Sequence, residues 1–113
     1  MKAEFEESFK GTINGVQTSN RAVYHTSKDI LEHLESEWGL SSDDKELTKE
    51  VMIMQDQLLK FGASGFDRMQ YNVKHIDELL REDMGDLRPL SFVVKKKLIE
   101  KEQEHVEQFE NNL

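Results

Sequence analysis

His25, Asp29, His33 and Glu37 recur every four residues, so on a helix of 3.6 residues per turn they fall along one stripe. Two imidazoles and two carboxylates placed this way have the donor set of a zinc site. The same spacing also describes a solvated face of alternating histidine and acid, and because these positions flank an apolar seam that plainer reading is adopted. Glu102-Gln103-Glu104-His105 matches the Glu-x-x-His pattern that di-iron bundles carry on each of two helices. There is no second copy, and one such match inside a Glu-rich run follows from composition. The chain has no cysteine, so it has no disulfide framework, thiol nucleophile or thiolate metal site. Gly62-Ala63-Ser64-Gly65 lacks the following lysine and preceding strand of a phosphate loop. His75, beside Ile76 and Asp77, reads as a bundle-edge residue rather than a base. No enzyme, cofactor or metal is expected.

The elements that must carry these residues read as helices. From Phe9 the apolar positions run Phe9, Ile13, Val16, Val23, Ile30 and Leu34, and their spacing continues through Asn20 and Ser27. The seam ends at Trp38, where Gly39 can take the left-handed conformation that closes a helix. Asp43 is expected to cap the next helix, with Glu46 in the capping-box position. A second seam runs Leu47, Val51, Met54, Leu58 and Phe61. A third, out of phase with it, runs Phe66, Met69, Val73, Ile76 and Leu80. The slip falls on the two glycines of residues 62–65, so a tight connection between helices is expected there. Met84-Gly85-Asp86 ends the third helix and Pro89 opens the fourth, a position that tolerates proline. In that last helix Phe92, Ile99, Val106 and Leu113 are seven apart, with Phe109 beside them. Met54 and Met69 read as core; Met52 and Met84 are not assigned by spacing. The expected fold is one all-α domain over residues 1–113, an antiparallel bundle of four helices. Residues 1–10 are expected to be a flexible N-terminal arm, and three long helices are the alternative.

The chain is 113 residues long, 36% hydrophobic and 34% charged, against ~45–50% and ~25% for an average globular domain. Its core must be thin, which suits association with a partner or with itself. The net charge of −8 argues against nucleic acid, whose phosphates require neutralisation by lysine and arginine. Residues 29–50 carry a net of −6 and residues 77–88 a net of −3, so the acidity is concentrated in two segments. In a four-helix bundle those segments share one end and form an acidic pole. Glu35, Glu37, Trp38, Asp43, Asp44, Glu82 and Asp83 are the expected partner-binding residues, facing a basic protein surface. Asn20 and Ser27, polar on an apolar seam, suggest a homodimer whose register they set. No apolar run reaches the ~18 residues of a membrane span and no cleavable leader is visible. A cytoplasmic protein is expected, with leaderless export leaving the same trace.

Trp38-Gly39 at the tip of a helical hairpin resembles the small type VII secretion proteins named for a Trp-x-Gly turn, over residues 9–61. The chain departs from that pattern in carrying an extra fourth helical segment and at two further points. Gly39 follows Trp38 directly, with Leu40 where the family glycine belongs, and Tyr71 is followed four residues on by His75 rather than by an acid. The expected function is that of a non-catalytic protein–protein interaction module: an adaptor, a secretion-type chaperone, or an inhibitor of the kind carried by phage and other mobile elements. The alternatives are a self-assembling structural bundle, a type VII secretion-like hairpin protein and, more remotely, a helical metal-binding protein.

Overall fold

The computed structural model describes residues 10–112. It is a helical protein with a small β-hairpin at its start, and the hairpin replaces the beginning of the expected first helix. β1 (Gly11–Ile13) and β2 (Val16–Thr18) pair antiparallel, Thr12 opposite Gln17 and Ile13 opposite Val16. Asn14 and Gly15 form the two-residue turn with φ of 50° and 85°. Positive φ at both central residues is the turn geometry that matches strand twist, and Asn-Gly is the pair that adopts it most readily. The Asn14 side chain anchors the hairpin by donating to the Thr48 hydroxyl at 2.7 Å and to the Ser42 carbonyl. Ile13 and Val16 pack on the core from this side.

α1 (Arg21–Trp38) begins where the Asn20 side chain accepts from the backbone N–H groups of Ala22 and Val23. Asn20 is therefore a helix cap and not a register residue on a seam. The helix stops at Gly39, whose φ of 69° lets Gly39 and Leu40 donate back to the carbonyls of Glu35 and Leu34. α2 (Lys45–Leu59) is capped by Asp44, one residue beyond the expected Asp43. Its carboxylate accepts from Glu46 and Leu47, while the Asp43 N–H is taken by the Ser41 hydroxyl.

The break between the second and third helices is real and falls at the first of the two glycines. Gly62, at φ 72° and ψ −141°, occupies a region open essentially to glycine alone and precedes α3 (Ala63–Lys74). Gly65 lies inside α3 and serves a different purpose: it is buried against the last turn of α2. The expected third helix bends at His75 into α3 and α4 (Ile76–Glu82). Asp83, left-handed at φ 54°, closes α4, and a 3₁₀ turn (Gly85–Leu87) leads into α5 (Arg88–Asn111), with Pro89 in its first turn.

The core is built in two parts. The larger joins Ile30, Leu31 and Leu34 of α1 to Leu47, Val51 and Met54 of α2, Ile76 and Leu80 of α4, and Leu87, Leu90 and Val94. The smaller holds Val23, Met52, Leu58 and Met69. Three polar side chains, Ser27, Gln55 and Asn72, are also almost fully buried, and their Oγ, amide group and Nδ2 respectively have no hydrogen-bond partner among the described residues. Phe61 and Phe66, read as seam residues, are 73% and 41% exposed. Only the first half of α5 joins the core. From Ile99 onward every described residue is exposed, and the molecule reaches 66 Å along its longest axis.

Candidate functional site

The two acidic segments do meet, at the N-terminal half of α5, but most of the residues expected to bind a partner are occupied by the fold. Glu35 accepts from the Ser42 backbone N–H at 2.8 Å across the α1–α2 turn, and hydrogen bonding from the Ser42 side chain first and its backbone second holds the Glu35 carboxyl below the usual range. Asp44 is the α2 cap and also pairs with Lys97 at 3.1 Å. Burial pushes its pKa up, but the Leu47 N–H and Lys97 outweigh that and leave it lowered. Asp83 pairs with Lys95 at 2.5 Å and accepts from the Ser91 hydroxyl at 2.7 Å, and these two bonds lower its pKa in that order. Lys97 also reaches Glu46 at 2.9 Å, and its two carboxylate partners raise its pKa. The Lys95–Lys97 run thus offsets part of the charge of both acidic turns from the flank of α5. Lys101, one turn further on, donates to the Gly39 carbonyl at 2.6 Å.

Trp38 is half-buried, packed on the larger core, and its indole N–H donates to Asp77 at 2.8 Å. The same carboxylate oxygen lies 2.7 Å from His33 Nε2. Hydrogen bonds from His33 first and Trp38 second hold Asp77 below the usual carboxylate range. The group ties the end of α1 to the first turn of α4, where an acid also suits the helix dipole. Asp77 was not among the expected site residues. Its spacing to Trp38 carries no periodic signal, because the contact is tertiary.

Of the seven nominated residues, Glu37, Asp43 and Glu82 are exposed, and their carboxylates have no hydrogen bond or ion pair among the described residues. The His25–Glu37 stripe does not converge on a point, since His33 turns to Asp77. Among the described residues no group of three or more His, Asp or Glu could hold a metal ion. Among the described residues no helix is long and apolar enough to cross a membrane.

The feature that stands out lies elsewhere. Phe92 (63% exposed), Ile99 (57%), Val106 (47%) and Phe109 (63%) stand in solvent on α5, although the seven-residue spacing of the first three reads as a buried seam. The seam that does enter the core is Leu87, Leu90, Val94 and Leu98, at spacings of three and four. At 100° per residue Phe92, Ile99 and Val106 fall about 115–155° from the core-facing series, while Phe109 falls between the two. A shallow groove along the outer side is lined by Ile99, Glu102, Gln103, Val106 and Glu107. Leu113, the next residue in the outer series, lies outside the described residues. Comparison of the chain with protein-family models, with curated proteins and with solved structures finds no match.

Proposed function

We propose that the protein is a non-catalytic interaction module whose principal contact surface is the outer face of α5. One observation carries the reading: a helix whose last turns leave the body keeps Phe92, Ile99 and Val106 in line on its solvent side, with Phe109 exposed beside them. Large apolar side chains aligned along a solvated helix mark contact surfaces, and spaced anchors on one helix face are how helices dock into other proteins. Folding of the body does not require them, because Leu90 and Val94 already fill the core from the other side. The acidic turns take a secondary part. With Glu35, Asp44 and Asp83 engaged internally, Glu37, Asp43 and Glu82 are left to steer a basic surface, an effect on association rate that salt screens. An adaptor, a chaperone or an inhibitor would each use such a surface.

The test is site-specific photo-crosslinking in the cell that makes the protein, with the reactive side chain at Ile99 in one variant and at Glu37 in another. The expected outcome is a discrete protein adduct from position 99, abolished by Val106→Asp. Adducts from position 37 alone would transfer the role to the acidic turns, and none from either position would refute the reading.

A further inference from the structure

We infer that the occupant of the outer face of α5 is a second copy of the same helix, running antiparallel, so that the protein is a homodimer. The inference rests on the proposal that this face is the contact surface and adds what covers it. The argument is charge complementarity. Along α5, residues 88–101 contain Arg88, Lys95, Lys96, Lys97 and Lys101 against Glu100, a net of +4; residues 102–111 contain Glu102, Glu104, Glu107 and Glu110 with no lysine or arginine, a net of −4. A parallel pair would set like charges side by side over the whole length. An antiparallel pair sets the basic half of each helix against the acidic half of the other.

The apolar spacing permits that pairing. With Ile99 of the two copies facing each other, Phe92 of each lies level with Val106 of the other, and the apolar stripe is self-complementary, as a two-fold interface requires. On one flank of the stripe Lys95 then lies against Glu102 of the second copy, and the symmetry repeats the pair. Lys95 is half exposed while bound to Asp83, so it can lie between the two carboxylates. The body packs on the opposite side of α5, through Leu90, Val94 and Leu98, so the two bodies stand clear of each other. This interface differs from the one expected at Asn20 and Ser27. Asn20 is a helix cap, and Ser27 is buried within the monomer.

The experiment is sedimentation equilibrium of the full chain over a wide concentration range, at low and high salt, with thermal melting of every variant as a check on folding. The wild type should dimerise, more weakly as salt rises. Ile99→Asp should raise the dissociation constant roughly thirtyfold or more if Ile99 is the central anchor, without lowering the monomer's melting temperature. Glu102→Lys, which opposes lysine to lysine twice, should weaken association about tenfold, and the swap Lys95→Glu/Glu102→Lys should recover most of that loss. The swap also sets a carboxylate beside Asp83, and melting separates any loss of fold stability from loss of association. A parallel pair would gain nothing from the swap, so failure to recover would overturn the antiparallel arrangement. A monomer at every concentration would overturn the dimer and leave the contact surface itself to the crosslinking test.

Discussion

Replacing Gly65 by alanine sets two effects of opposite sign against each other, and the packing of α3 on α2 decides between them. Gly65 is the third residue of α3, at ordinary helical φ, so alanine would gain about 0.8–1 kcal/mol of intrinsic helix propensity. An added methyl group, however, would collide with the Leu58 carbonyl oxygen, lying only 2.7 Å from the carbonyl carbon and 3.2 Å from Phe61 Cβ. Backbone atoms cannot rotate aside, and the Leu58 carbonyl is held by the Phe61 N–H at 3.0 Å. Relief requires α3 to move away from the end of α2. That opens the smaller core, where Met69 is fully buried and Leu58 is 5% exposed. Forcing a methyl into a packed contact costs about 1–3 kcal/mol. Here the obstacle is backbone and the neighbouring core is thin, so the upper end applies, and the propensity gain leaves a net loss of about 2 kcal/mol. For a domain of this size that lowers the melting temperature by about 8–12 °C. Urea unfolding followed by helical circular dichroism measures it directly. A Gly65→Ala variant as stable as the wild type, or more so, would refute the close approach of the two helices. Gly62→Ala is the useful comparison: its Cβ would meet nothing within 4 Å, yet its positive φ still penalises any side chain.

Two further outcomes follow from buried and ionised groups. Gln55→Met should stabilise the protein by about 1–2 kcal/mol in the same urea assay, because the Gln55 amide is fully buried with both polar atoms unpartnered, and an apolar group of similar length removes that desolvation penalty; a destabilised variant would show that the amide is bonded in solution. Asp44, Asp77 and Asp83 have folded-state values below the ordinary 3.8, so their contribution is complete above that pH and is lost as pH falls through the lowered values. Stability should therefore decline below about pH 4, and Asp77→Asn should flatten that decline while leaving the other two carboxylates to act; an unchanged acid limb in Asp77→Asn would mean that the bonds from His33 and Trp38 do not favour the ionised form.

Much of the helical scaffold was legible because its punctuation is chemical. Gly39, Gly62 and Pro89 each mark a boundary for a reason visible in one residue: a left-handed stop, a glycine-only conformation and a first-turn proline. The cap at Asp44 rather than Asp43 shows the limit of that logic, since two adjacent acids can both cap and only the hydrogen bonds select one. The hairpin is legible too, but two signals compete for the same residues. Ile13 and Val16 fit a helical spacing with Val23, while Asn14-Gly15 between them is a strong local signal for a two-residue β-turn. Turn chemistry prevailed over an apolar period resting on few residues.

The partner-binding set fared differently because charge in a sequence does not reveal which carboxylates the fold uses. Six acids at or near helix ends stand out in the sequence for their number and sign, with Trp38 among them. Glu35, Asp44 and Asp83 are consumed by the turns they sit in, and Trp38 by Asp77. Lys95–Lys97, the basic run of α5, is what the acidic turns pack against. Only the tertiary arrangement shows this, as partners such as Lys97 and Asp44 are 53 positions apart.

The apolar residues of α5 carry the most consequential difference. Two series share this helix. One advances by three and four from Leu87 to Leu98 and enters the core; the other advances by seven from Phe92 to Val106 and stays in solvent. A helix with apolar residues on two sides gives no single amphipathic direction, so periodicity alone cannot say which series faces the body. Burial of both is possible only when something outside the monomer covers the second. The outer series continues beyond the point at which the body ends, and the charge along the same helix reverses sign over the same stretch. A core helix requires neither feature, whereas a helix that pairs with its own copy in the opposite direction requires both: a stripe that still matches when reversed, and a charge distribution that attracts only when reversed.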